Sequence, residues 1–110
     1  MNALQLVKFH GFGNDFLIGF HVDLSPPELA ALARRVCDRR RGVGADGLIV
    51  GDSHPDVSAE MALFNADGGR PEISGNGLRC FAHALARRRG DEGSVSMTIA
   101  TDAGLRRVEL

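Results

Sequence analysis

The tetrad Ser74-Gly75-Asn76-Gly77 is the part of this chain best suited to hold an anion. It lies between a predicted strand and a predicted helix, so its backbone amides open that helix. Four unpaired amides and the positive end of the helix dipole make a ready site for a carboxylate or phosphate, and glycine lets a ligand approach the backbone closely. Taken alone, the tetrad reads first as a serine N-cap followed by a tight turn, and that simpler reading stands until something else supports an anion site.

Gly42-Val43-Gly44-Ala45-Asp46-Gly47 spells the G-x-G-x-x-G pattern of dinucleotide sites. That pattern needs a strand before it and a helix after it, so that pyrophosphate meets a helix amino terminus. Here a helix precedes and the apolar run Leu48-Ile49-Val50 follows, and no G-K-[ST] element supports a P-loop. Asn65-Ala66-Asp67-Gly68-Gly69 and Gly13-Asn14-Asp15 read as turns, where asparagine tolerates left-handed backbone angles. His10 and His83 stand singly beside apolar runs and read as structural. Cys37 and Cys80 show neither metal-ligand spacing nor a secretory context, so no metal site and no disulfide is expected, and both read as small buried hydrophobes.

The elements that must position these residues follow from turn and cap signals. Leu4 to His10 and Asp15 to Phe20 read as strands around the turn Gly11-Phe12-Gly13-Asn14. Ser25-Pro26-Pro27-Glu28 announces a helix by a capping box with proline at the first position. That helix is expected to run to about Arg40, with Leu29, Leu32, Ala33, Val36 and Cys37 as its core stripe. A strand is predicted over Leu48-Ile49-Val50 and another from Glu60 to Phe64. The second helix follows Ser74-Gly75-Asn76-Gly77 and stops at Gly90 after Arg89. It is apolar or small around most of its circumference, with only Arg79, His83 and Arg87 as a polar stripe, so it should be mostly buried. Strands from Ser94 to Ala100 and Leu105 to Leu110 close the chain around Thr101-Asp102-Ala103-Gly104. The expected class is α+β: a sheet packed around one central helix, with the first helix outside.

At 110 residues, 44% hydrophobic and 25% charged, the chain fits one domain, with room for one core. Thirteen basic residues against fourteen acidic ones leave no field to attract nucleic acid or an anionic membrane. Arg39-Arg40-Arg41 and Arg87-Arg88-Arg89 fall at the predicted carboxyl ends of the two helices, where cations complement the macrodipole. The first twenty residues offer neither a signal-peptide core nor a membrane span, so a cytoplasmic location is expected.

Four segments, taken in order and at their separations, carry a family resemblance: Lys8 to Phe16 (KFHGFGNDF), Gly42 to Gly47 (GVGADG), Phe64 to Gly68 (FNADG) and Gly75 to Ala82 (GNGLRCFA). Together they resemble the amino-terminal half of the diaminopimelate epimerase family, within the proline racemase-like superfamily. The resemblance covers nearly the whole chain. It implies a fold of two similar halves, each a curved mixed sheet wrapped around a central helix, with substrate in the cleft between them. Residues 1–110 would be the amino-terminal domain, with the second, carboxy-terminal domain absent and so expected as a partner.

The family it resembles inverts a stereocentre of diaminopimelate, LL to meso, for lysine and peptidoglycan synthesis in bacteria. It uses no cofactor and two thiols, one from each half, on opposite faces of the substrate. Carried over by position, Asn14 and Asn65 would hydrogen-bond the polar ends of an amino-acid substrate, and Gly75 and Asn76 would hold a carboxylate. The family's thiol belongs where Ser74 stands. A thiol has a pKa near ~8.5 and an alcohol lies closer to water at ~15.7, a gap of about 7 units, or roughly 10 kcal/mol against forming the base. Cys80 cannot substitute, because six residues into the helix it lies about 9 Å along the axis and roughly 240° round it. Two functions follow as expectations: a cofactor-independent amino-acid epimerase whose isolated chain is inactive, or a non-catalytic module on the same fold that binds a carboxylate or a protein. A homodimer is the assembly to test.

Overall fold

The computed structural model describes residues 4–11, 13–72 and 74–110. Their order is β1 (Val7–Gly11), β2 (Asn14–Phe20), α1 (Pro26–Val36), β3 (Gly47–Asp52), β4 (Ala59–Asn65), α2 (Gly75–Arg89), β5 (Ser96–Thr101) and β6 (Gly104–Glu109). The six strands form one mixed sheet in chain order. β1–β2, β3–β4 and β5–β6 are antiparallel, whereas β2–β3 and β4–β5 are parallel. Parallel neighbours need a crossover connection, and α1 and α2 are those two crossovers.

Alternation along the strands sorts the core into two clusters, as a period of two residues demands. Leu17, Leu48 and Phe64 point to one face and pack with Leu29, Leu32, Ala33 and Cys37 of the α1 segment. Phe16, Ile18, Ile49, Met61, Leu63, Met97 and Ile99 point to the other and surround Cys80, Phe81, Ala82 and Leu85 of α2. Because α2 touches β1, β2, β3 and also β6 at the far edge, the sheet curls around it. The expected α+β architecture, with a central second helix and an outer first helix, is the one observed. Arg79, His83 and Arg87 form the exposed stripe of α2, and Leu78 is half-buried against the core.

Local chemistry fixes the helix ends. At α1 the Ser25 hydroxyl accepts from the Glu28 amide while the Glu28 carboxylate accepts from the Ser25 amide, a complete capping box. The helix ends at Val36, four residues before the expected Arg40. The Asp38 carboxylate accepts from the amides of Arg40 and Arg41, a local turn that competes with helix continuation. The chain then folds back onto α1, and a side chain at Gly42 would start 2.2 Å from the Arg35 carbonyl oxygen. Arg39-Arg40-Arg41 therefore lie beyond the helix and do not cap its dipole, while Arg87-Arg88-Arg89 do occupy the last turn of α2. That helix ends as expected at Gly90, with φ 75°, where the Asp91 amide reaches back to the Ala86 carbonyl at 2.9 Å.

β1 and β2 meet in a hairpin whose register ends with Gly11 opposite Asn14. Phe12, within the expected turn, lies outside the described residues, and Gly13 supplies the positive φ of 85°. β1 begins at Val7 rather than Leu4 because pairing stops at Val7 opposite Ile18, and beyond it the Leu6 side chain closes over Gly19, 2.8 Å from where a Cβ there would sit. Among the described residues no helix is long and apolar enough to cross a membrane.

Candidate active site

One end of the sheet collects the residues singled out by sequence. Phe16 lies opposite Gly47, and Gly47 lies opposite Asn65. The start of β2, the start of β3 and the end of β4 therefore share a rim. At strand spacings of roughly 4.8 Å, Asn65 sits two strands, about 10 Å, across from β2. Asn65 is exposed, and its backbone closes a turn with Gly68 and Gly69, as the composition of that stretch required.

α2 starts at the same rim. Ser74 is its N-cap, in extended backbone geometry, and the Ser74 hydroxyl oxygen accepts from the Gly77 amide at 2.9 Å. The capping interpretation of the tetrad is thus realised in the structure. Gly75 faces open space, with no atom within 4 Å of the point where a Cβ would stand, so a ligand can approach the backbone there. Gly77 is buried, and a Cβ there would meet Phe16 and Leu63 at 3.6 Å and Ser74 Oγ at 3.0 Å. Asn76 reaches back from α2 to the sheet, donating from Nδ2 to Asn14 Oδ1 at 2.6 Å. Ser74, Gly75, Asn76 and Asn14 are brought together at this corner, and Asn65 stands on the same rim.

Behind Asn14 lies a charged network that sequence reasoning did not find. Asn14 Nδ2 donates to Asp46 Oδ2 at 3.2 Å, and the Asp15 amide donates to the same oxygen at 2.9 Å. In return the Asp46 amide donates to Asp15 Oδ1 at 3.1 Å. Arg39 spans both carboxylates, at 3.0 Å from Asp15 and 3.2 Å from Asp46, and Lys8 lies 3.3 Å from Asp15. The Arg39 guanidinium, assisted by Lys8 and the Asp46 amide, holds the Asp15 carboxyl well below the usual carboxylate range. Asp15 in turn raises Arg39. Asn14, Asp15, Arg39 and Asp46 line a depression of about 540 Å³ whose other walls include His10, Gly11 and Gly13. The loop from Gly42 to Gly47 thus delivers Asp46 to the rim, and Arg39, beyond the end of α1, pairs with Asp15 and Asp46 rather than with the helix dipole.

The cysteines sit elsewhere. Cys80 is 3% exposed in the core, with its sulfur under Gly11, 3.2 Å from where a Cβ would stand. Cys37 is buried against α1. Burial pushes both thiols up, away from thiolate. His10 and His83 are exposed and line a cavity of about 340 Å³ with Phe9, Gly11 and Cys80. Among the described residues no group of three or more His, Cys, Asp or Glu is placed to hold a metal ion.

Comparison with known proteins identifies the family and the fold. The family model described as diaminopimelate epimerase matches residues 6–110. A diaminopimelate epimerase of Desulforudis audaxviator (strain MP104C) is 48% identical over 109 residues, covering 97% of this chain and 38% of that protein. A chloroplastic diaminopimelate epimerase of Oryza sativa subsp. japonica is 43% identical over 107 residues, covering 94% of this chain and 30% of that one. The chain therefore spans about a third of the length of the curated relatives it matches. In fold it is similar to a Bacillus anthracis phenazine biosynthesis protein of the PhzF family, at a TM-score of 0.71, 23% identity and coverage of 96% of this chain and 34% of that one. It is likewise similar to methylitaconate-delta-isomerase, at a TM-score of 0.72, 14% identity and coverage of 97% and 34%. With the family model matched over residues 6–110 and the expected curved sheet around α2, this chain belongs to the diaminopimelate epimerase family.

Proposed function

We propose that this chain forms one wall of the substrate site of a cofactor-independent amino-acid epimerase acting on diaminopimelate, with a carboxy-terminal half supplying the opposite wall. The observation that carries the reading is the corner where the exposed amino terminus of α2 meets Asn14, because it combines anion-binding amides with a side chain able to donate and accept. In this reading the amides at Gly75 and Asn76 hold the α-carboxylate, and Asn14 and Asn65 engage polar groups of the substrate. The α-proton leaves to a base on one face, and a proton returns from an acid on the other, so the stereocentre inverts with no net change in composition.

Ser74 takes the place of the first-face thiol. Its hydroxyl oxygen already accepts from the Gly77 amide, and the roughly 10 kcal/mol separating an alcohol from a thiol as proton acceptor keeps it from acting as an unaided base. Ser74 therefore caps α2 and offers its hydroxyl proton to a carboxylate. That same bond favours a second reading, in which the corner binds a carboxylate without turning it over.

Titration of the ¹⁵N-labelled chain with diaminopimelate tests the site itself. Amide shifts should concentrate at Asn14, Asn65, Gly75 and Asn76. Shifts confined to the opposite end of the sheet, around His21 and Asp52, would place the ligand elsewhere and defeat the proposal.

A further inference from the structure

We propose that Asp46 is a positioning residue that sets which end of the Asn14 amide donates and which accepts, and through Asn14 sets the same polarity at Asn76. The inference rests on the reading of Asn14 and Asn76 as substrate contacts. An asparagine amide has nearly the same shape either way round, so its partners alone decide its orientation. A carboxylate only accepts. The Asn14 atom 3.2 Å from Asp46 Oδ2 must therefore be its nitrogen, which turns Oδ1 toward Asn76. There it receives the Asn76 Nδ2 at 2.6 Å, which commits the donor end of that second amide.

Asp46 is itself braced so that it cannot swing away. Its Oδ2 also accepts from the Asp15 amide at 2.9 Å, and its Oδ1 accepts from Arg39 at 3.2 Å. Its own amide donates to the Asp15 carbonyl at 2.9 Å. With side-chain exposures of 57% for Arg39 and 40% for Asp46, the brace stands at the solvent side of the amides it orients. Asn14 is left with one N–H and one lone pair whose directions are fixed, the pattern a zwitterionic amino acid needs on meeting a donor and an acceptor at set places.

The test uses the ¹⁵N-labelled chain, with the Asn14 side-chain NH₂ resonances identified by their loss in Asn14→Ala. Asp46→Ala removes the acceptor, so the Asn14 NH₂ pair should move toward the shifts and exchange rate of a free amide. Diaminopimelate affinity should fall about tenfold, in keeping with loss of a hydrogen bond to a charged group. The double variant Asn14→Ala/Asp46→Ala should bind no worse than Asn14→Ala. Arg39→Met, on an exposed side chain, is the second variant should the first not fold, and it should move the same resonances. Unchanged Asn14 resonances in the folded variants, or additive losses of affinity in the double variant, would overturn the proposal. If Asn14→Ala binds diaminopimelate as tightly as the parent, the site reading fails instead, and the resonance comparison still decides whether Asp46 orients Asn14.

Discussion

Asn76, in the first turn of α2, donates to Asn14 at the start of β2 across 2.6 Å, although 62 positions separate them in the chain. This bond ties the mouth of the central helix to the rim of the sheet. Removing either side chain should therefore have much of the same consequence. In a double-mutant cycle of Asn14→Ala and Asn76→Ala, followed by urea unfolding, a coupling of roughly 1 kcal/mol is expected. Additive losses would mean that the two asparagines act separately.

Phe81 is fully buried in α2, and a side chain at Gly51 would begin 2.3 Å from its ring. Phe81→Ala should cost about 3 to 5 kcal/mol of unfolding free energy. Gly51→Ala should cost about 1 to 3 kcal/mol by overpacking the same contact. A loss below about 1 kcal/mol for Phe81→Ala, small beside any ordinary core truncation, would show that α2 does not centre the core.

Asp15 gives the fold a defined acid sensitivity. Its carboxyl is held well below the ordinary value, first by Arg39 and then by Lys8 and Asp46. A group whose pKa is depressed on folding stabilises the native state at pH above its unfolded value of about 3.9 and loses that contribution as pH falls below it. Urea midpoints should thus begin to drop as pH falls through about 4 and keep falling at lower pH toward the depressed native value, and Arg39→Met should flatten the drop. An equal drop in parent and variant would remove Arg39 as its cause.

Ser74 gives two substitutions with different signatures. Ser74→Ala removes the acceptor of the Gly77 amide and should cost about 1 kcal/mol of stability, the ordinary value of a cap. Ser74→Cys puts a thiol at the positive end of α2, where its pKa should fall below the free value. Burial raises both native thiols, so the new thiol should be the one that alkylates first as pH is raised. Rates of iodoacetamide labelling against pH, with the labelled peptide identified, read this out.

The caps and turns were legible because each is written within a few residues. Ser25 with Glu28, Ser74 as an N-cap, and Gly90 after Arg89 are local signals. The resemblance supplied Asn14 and Asn65, which composition alone reads as turn residues. What escaped was long-range. Arg39 was read as a dipole complement because its helix was extended four residues too far, and its partner Asp15 lies 24 positions away. Asp46 hid inside a glycine pattern, and only the parallel register of β2 with β3 carries it to Asn14, 32 positions distant. A carboxylate within a glycine-rich loop next to a strand start was the signal present, and nothing in the sequence named its partner.

We infer that this chain supplies one face of an epimerase site, with serine where a thiol would do the chemistry. This is tested most directly by exchange of the diaminopimelate α-hydrogen for deuterium in heavy water. The chain is assayed alone and joined to the portion of the Desulforudis audaxviator relative beyond the matched region, each with Ser74 and with Ser74→Cys. The chain alone with Ser74 should give background exchange, since an alcohol is not an unaided base, and neither form of the chain alone should invert the substrate, since acid and base must come from opposite faces. In the joined protein exchange should rise by orders of magnitude on Ser74→Cys, as the barrier to forming the base drops by several kcal/mol. A joined protein that gains nothing from Ser74→Cys, or a chain that inverts diaminopimelate by itself, would contradict the inference.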